Sequence, residues 1–206
     1  LKVCPSALLI ACWGNIGSVG LGTISQSRHV EGHPANGEAG SIYEWLIKQG
    51  IPAKNILVPT VTANSQLPAL MKQADVAVFC SRCEGGTNLM AMEALACGVP
   101  TVLSNNTGHK DLIEMGCLHA IAVGHNGLGQ VPSEITAGYG GDPAGLWGET
   151  NPDELVDQWL RIKTDKQAWQ DKGQAGARIM SSMTWARCMK TLTDCLIERD
   201  LLEPTC

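Results

Sequence analysis

Short apolar runs of strand length recur along this chain, each followed by a stretch with helical spacing. This alternation restricts the fold more than any other feature of the sequence. Residues 7–13, 55–58, 75–80, 101–104 and 119–123 are rich in apolar and β-branched side chains and read as strands. Between them, residues 41–49 place Tyr43, Leu46 and Ile47 on one helical face and stop at Gly50. Residues 65–73 carry Leu67, Leu70 and Met71 at helical spacing, residues 88–97 form a further helix, and residues 110–115 a short one. Gly98 stands where a helix ends in a left-handed turn, with Pro100 just beyond. Strands alternating with helices in this way predict an α/β fold, a parallel sheet with helices on both faces. Right-handed crossovers then set the loops after the strands along one edge, where open α/β sheets bind ligands.

The rest of the chain frames that unit. Residues 14–40 are rich in Gly, Ser, His and Asn and read as a long loop; residues 124–148 are Gly- and Pro-rich and read the same way. Helices are predicted at 152–162, 165–180 and 184–199, with Leu155, Trp159, Leu160, Trp169, Trp185, Met189, Leu192 and Leu196 at helical spacing and the Trp residues as packing anchors. A chain of 206 residues with 44% apolar content suits one domain with a core. Residues 1–183 are read as that domain and 184–206 as its closing helix and tail. The net charge of -5, with no dense Lys/Arg stripe, argues against a nucleic-acid or anionic-membrane surface. No apolar run approaches the roughly 20 residues that cross a bilayer. Nine Cys, an odd number without a regular framework, suit a reducing compartment, so the expected location is cytoplasmic. Cys80 and Cys83 have redox spacing, but no second such pair completes a zinc site; buried or incidental thiols are the plainer reading. No metal site is expected, the spacing of His29 and His33 falling in a loop-like context.

The segment Ser81-Arg82-Cys83-Glu84-Gly85-Gly86-Thr87-Asn88-Leu89-Met90-Ala91-Met92-Glu93-Ala94-Leu95-Ala96-Cys97-Gly98-Val99-Pro100 carries the chemistry. A strand ends near Ser81, a turn with Gly85 and Gly86 follows, and a helix begins near Asn88. Gly85 and Gly86 can expose backbone N–H groups to a ligand, and the helix start adds unpaired N–H groups with a partial positive charge, an arrangement that suits a phosphate. Leu89, Met90, Met92, Leu95 and Cys97 make the helix apolar on nearly every side, so burial is expected, with Glu93 its only charge. A buried carboxylate needs satisfying. Either a partner within the protein or a pair of ligand hydroxyls, such as those of a ribose, fulfils that need. Asn88 can adopt left-handed geometry or cap the helix.

This segment resembles the signature of the retaining GT-B glycosyltransferases: strand, loop and helix with two Glu, then Gly-x-Pro and a strand. Leu67-Pro68-Ala69-Leu70-Met71-Lys72-Gln73-Ala74-Asp75-Val76-Ala77-Val78-Phe79 is similar to the helix and strand that precede it, and Asn106-Thr107-Gly108-His109-Lys110-Asp111-Leu112-Ile113 to the segment that follows. Trp185 resembles the Trp that opens the family's closing helix. The resemblance implies a Rossmann-like domain, one half of a GT-B fold, that transfers a sugar from a nucleotide-diphosphate sugar to an unknown acceptor with retention. It implies that Glu93 holds the ribose hydroxyls, that Glu84 lies near the transferred sugar as the catalytic residue, and that Gly86, Thr87, Asn88 and Leu89, with Gly85 beside them, hold the diphosphate. No cofactor is implied, the nucleotide sugar being the donor substrate. Eight residues, Gly85 to Met92, separate the two acids where the family usually has seven, so either the loop bulges or Gly85 takes the acidic position. Arg28, Arg82 and Lys110 are loose candidates for the family's basic pair. His109 is read as a residue able to reach a donor phosphate or sugar hydroxyl, or else as a solvent-facing helix start. Complete GT-B enzymes are about twice this length. The chain is therefore expected to be a donor-binding half whose acceptor-binding half could lie on a separate polypeptide; the alternative is a non-catalytic binding module of the same fold.

Overall fold

The computed structural model describes residues 9–10, 39–57, 64–116, 119–121, 123–131 and 146–203. Along them run β1 (Leu9–Ile10), α1 (Ala39–Lys48), β2 (Ile56–Leu57), α2 (Leu67–Met71), β3 (Ala77–Phe79), α3 (Leu89–Ala96), β4 (Thr101–Ser104), α4 (His109–Glu114), β5 (His119–Ile121), β6 (Val123–Gln130), β7 (Leu146–Thr150), α5 (Pro152–Thr164), α6 (Lys166–Ser181) and α7 (Trp185–Glu198). β3, β4 and β5 form a parallel sheet in that order, with Val78 opposite Val102 and Leu103 opposite Ala120. β1 and β2 pair in parallel as well. The alternation of strand and helix thus gives the predicted mixed α/β, Rossmann-like arrangement.

The core follows from the period of β4, all of whose side chains are buried. Successive strand side chains point to opposite faces. Leu103 meets Ala91 and Leu95 of α3, Leu112 of α4 and Met180 of α6, with Phe79 alongside. Val102 meets Ile121 and Trp169, with Val76, Val78, Leu155 and Ile162 packed around them. The sheet is therefore covered on both faces, by α3, α4 and the end of α6 on one, and by α5 and the start of α6 on the other. α6 crosses α3 at backbone distance: a side chain on Gly173 would run into the Gly98 carbonyl, and one on Gly176 into Leu95. Gly98 has φ +77° and ends α3 as its position predicts.

Several expectations need correcting. Residues 124–148 do not read as a loop throughout: β6 and β7 form an antiparallel pair, with a register shift between Val123 and Leu128. The Gly-rich composition of that stretch hides the pairing, which main-chain bonds alone can sustain. Trp169 is a packing anchor, 4% exposed, but Trp185 is 85% exposed at the start of α7, a helix with no buried residue. Most of the expected 14–40 loop lies outside the described residues, but residues 39–40 already belong to α1. Arg28, His29 and His33 lie outside the described residues.

Candidate functional site

The loop between β3 and α3 lies along the edge where the parallel strands end. Its backbone is fixed by the neighbouring crossover after β4. Ser104 Oγ donates to the Ser81 carbonyl at 2.7 Å and Asn106 Nδ2 to the same oxygen at 3.1 Å. The Gly148 N–H of β7 donates to the Arg82 carbonyl at 2.7 Å, and the Gly108 N–H to the Glu84 carbonyl at 3.2 Å. The Glu84 N–H in turn donates to Thr107 Oγ1 at 2.8 Å. Gly108 lies so close that a β-carbon there would overlap the Gly86 carbonyl. The carbonyls of Ser81, Arg82 and Glu84 thus have donors from neighbouring segments. The N–H groups of Gly85, Gly86, Thr87 and Leu89 have no acceptor among the described residues. Gly85, Gly86 and Leu89 are exposed, and no atom lies within 4 Å of a β-carbon built on Gly85 or Gly86. The loop accordingly shows amides to the surface at the positive end of α3.

α3 starts at Asn88, which has φ 62°, left-handed, and whose Oδ1 accepts the Ala91 N–H at 3.1 Å. The residue therefore takes left-handed geometry and caps the helix at once. The burial expected of α3 is only partial. Ala91, Ala94 and Leu95 face the core, while Leu89, Glu93 and Ala96 form an exposed stripe at i, i+4 and i+7. Leu89 is 73% exposed. Glu93 is therefore not an isolated buried acid. It stands in the open, one turn from Leu89, about 6 Å along the axis, and no hydrogen-bond or ion-pair partner is found for its carboxylate among the described residues.

Glu84 and His109 meet beneath the loop. Glu84 Oε2 accepts from Asn88 Nδ2 at 3.1 Å and from Ser81 Oγ at 3.4 Å, and lies 3.8 Å from His109 Nε2. His109 is 0% exposed, so it does not face solvent. Its Nε2 is 3.0 Å from Asn88 Nδ2, and its Nδ1 is 3.2 Å from the Ser104 carbonyl and 3.1 Å from Ser104 Oγ. Burial lowers its pKa below the ordinary histidine value, against the opposing pull of Glu84 and the backbone bond to Ser104. Arg82 is engaged elsewhere, its Nε 3.0 Å from Glu149 and its guanidinium 5.0 Å from the Trp147 ring centroid. Lys110 is exposed on α4. Ser104, Asn106 and Thr107, which hold the loop, carry no signal in periodicity; their place after a strand and, for Asn106 and Thr107, the family-like segment they open are the signals that point to them.

Cys80 has its thiol pushed up to about 11 by burial, which disfavours the thiolate that redox exchange needs, whereas Cys83 is exposed. Among the described residues no group of three or more His, Cys, Asp or Glu side chains could hold a metal ion, and no helix is long and apolar enough to cross a membrane.

Residues 34–134, a stretch that contains the whole loop, α3, β4 and α4, match the family model of the glycosyl transferases group 1. No curated protein matches the chain.

Proposed function

We propose that this chain, whose residues 34–134 match the family model of the glycosyl transferases group 1, binds a nucleotide-diphosphate sugar and presents it for transfer to an acceptor, with retention of configuration. In this reading the diphosphate sits on the amides of Gly85, Gly86, Thr87, Asn88 and Leu89, Glu93 takes the ribose hydroxyls, and Glu84 lies toward the transferred sugar. A second Rossmann-like half, from the same or another polypeptide, brings the acceptor.

The single observation that carries this reading is the surface at the start of α3. Amides without acceptors among the described residues lie beside a helix amino end, and a carboxylate with no partner among them follows one turn along the same exposed stripe. A diphosphate gains charge as the bond to the sugar breaks. Fixed N–H dipoles aimed at its oxygens therefore stabilise the transition state more than the bound donor. The helix end adds about 0.3–2 kcal/mol for an anion in its first turn. In this scheme the amides do what a metal does elsewhere, and no cofactor is needed.

Calorimetry of the chain with a panel of sugar nucleotides and free nucleoside diphosphates tests the proposal. Binding of at least one diphosphate is expected. Glu93→Gln should weaken it about tenfold or more, the size of one lost hydrogen bond to a charged group. No heat with any nucleotide, and no competition by free nucleoside diphosphate, would remove the reading.

A further inference from the structure

We propose that His109 is the positioning residue of the candidate site: in its neutral form it accepts a hydrogen from Asn88 and so fixes both the start of α3 and the Glu84 carboxylate, and on protonation it releases them. The inference rests on the proposed donor site for its functional consequence, but its geometry stands independently.

The orientation of every group around the ring can be deduced. Asn88 Oδ1 must face the Ala91 N–H, a donor, and Asn88 Nδ2 must face the Glu84 carboxylate, an acceptor. The amide therefore cannot be turned over without placing donor against donor and acceptor against acceptor. Its second Nδ2 hydrogen then points at His109 Nε2, 3.0 Å away, which must be the bare, accepting nitrogen. The ring proton resides on Nδ1, where it meets the Ser104 carbonyl at 3.2 Å. Ser104 Oγ cannot donate to the ring, because its one hydrogen goes to the Ser81 carbonyl at 2.7 Å. One tautomer satisfies the whole cluster.

Adding a proton at Nε2 turns that nitrogen into a donor facing the donor Nδ2 of Asn88. Glu84, 3.8 Å away, is then the only acceptor in reach among the described residues. It is also the one charged group that faces the ring from the neighbouring loop; Ser104 on β4 and Asn88 at the start of α3 are neutral, and Lys110 and Asp111 on the ring's own helix are exposed. An imidazolium–carboxylate pair can form only by displacing Asn88 from between its partners. That withdraws the cap from the Ala91 N–H and turns Glu84 inward. Asn88 also holds a left-handed φ of 62°, which its side-chain bonds help to maintain. Proton uptake at a wholly buried ring is thereby coupled to the amides that would hold the diphosphate.

Two measurements on the whole chain test this. Nitrogen-15 spectra of the histidine rings, assigned with His109→Gln, should show His109 as the neutral Nδ1–H tautomer at pH 7.5. As it titrates below pH 6.5, the Ala91 amide and Asn88 side-chain signals should move with the same midpoint. In parallel, affinity for a nucleotide-diphosphate sugar, whose diester phosphates stay ionised across this range, should fall about tenfold through that midpoint, the size expected for a lost helix cap and its hydrogen bond. His109→Gln, whose amide oxygen can accept from Asn88 but cannot take up a proton, should show one affinity across the range. Asn88→Gly, which tolerates the same φ, should show one affinity at the weakened level. The proposal is overturned if the ring is the other tautomer, if the Ala91 amide ignores the titration, or if a nucleotide binds with no step at the midpoint. Should no nucleotide bind at any pH, the functional reading fails, and the ring and amide signals alone decide whether His109 holds Asn88.

Discussion

Gly108→Ala isolates the contact that seats the candidate loop. The residue has φ -64° and ψ -14°, helical values that alanine adopts freely. Any loss of stability therefore comes from collision and not from backbone strain. The added methyl would overlap the Gly86 carbonyl, and the Glu84 carbonyl would be 3.1 Å away. The loop must lift, which stretches the bonds from Gly108 N–H to the Glu84 carbonyl and from Glu84 N–H to Thr107 Oγ1. Overpacking of this kind costs about 1–3 kcal/mol and each hydrogen bond about 1 kcal/mol. The expected destabilisation is therefore about 3–5 kcal/mol, or a Tm lower by about 10 °C for a chain of this size. Gly85→Ala is the control: its methyl meets nothing within 4 Å, and its stability should stay within about 0.5–1 kcal/mol of the parent. Urea unfolding of the two variants checks the pair. A loss below about 1 kcal/mol in Gly108→Ala, or an equal loss in both, would refute the close docking of the two loops.

Two further outcomes follow from the burial of single groups. Because burial lowers the folded-state pKa of His109 below the ordinary 6.5, the unfolded chain takes up that proton first. Its contribution to stability is complete above about pH 6.5, declines as the pH falls through that value, and levels off below the folded-state pKa. Urea midpoints across pH 5–8 should show this slope, and His109→Gln should reduce it; identical slopes would contradict the buried, neutral ring. A thiol-specific reagent at pH 8 should label exposed Cys83 well before Cys80, whose thiol is held at about 11; mass spectrometry of early time points reads the order, and faster labelling of Cys80 would contradict it.

The sheet was legible because burial on both faces forces a repeating pattern: Val102 and Leu103 show it within two residues, one in each core cluster. The left-handed cap at Asn88 was legible too, since few side chains do both jobs. The exposure of Glu93 was not. Apolar content alone made α3 look buried, yet Leu89 is left at the surface, a matter of which face the crossing of α6 covers. The burial of His109 was hidden for a related reason. Its place at the start of a helix suggests solvent or ligand, and only the return of the loop after β3 over that helix encloses it. The pairing of β6 with β7 rests on main-chain bonds in a Gly-rich stretch, where side chains carry no periodic signal.

The central claim is that the main-chain N–H groups opening α3 grip a diphosphate. Backbone amide spectra recorded during titration with a nucleoside diphosphate test it most directly. The account predicts large, saturable shifts at Gly85, Gly86, Thr87 and Leu89, accompanied by a change at Glu93. Saturable binding that leaves those amides unmoved, with the shifts gathered elsewhere on the chain, would contradict it.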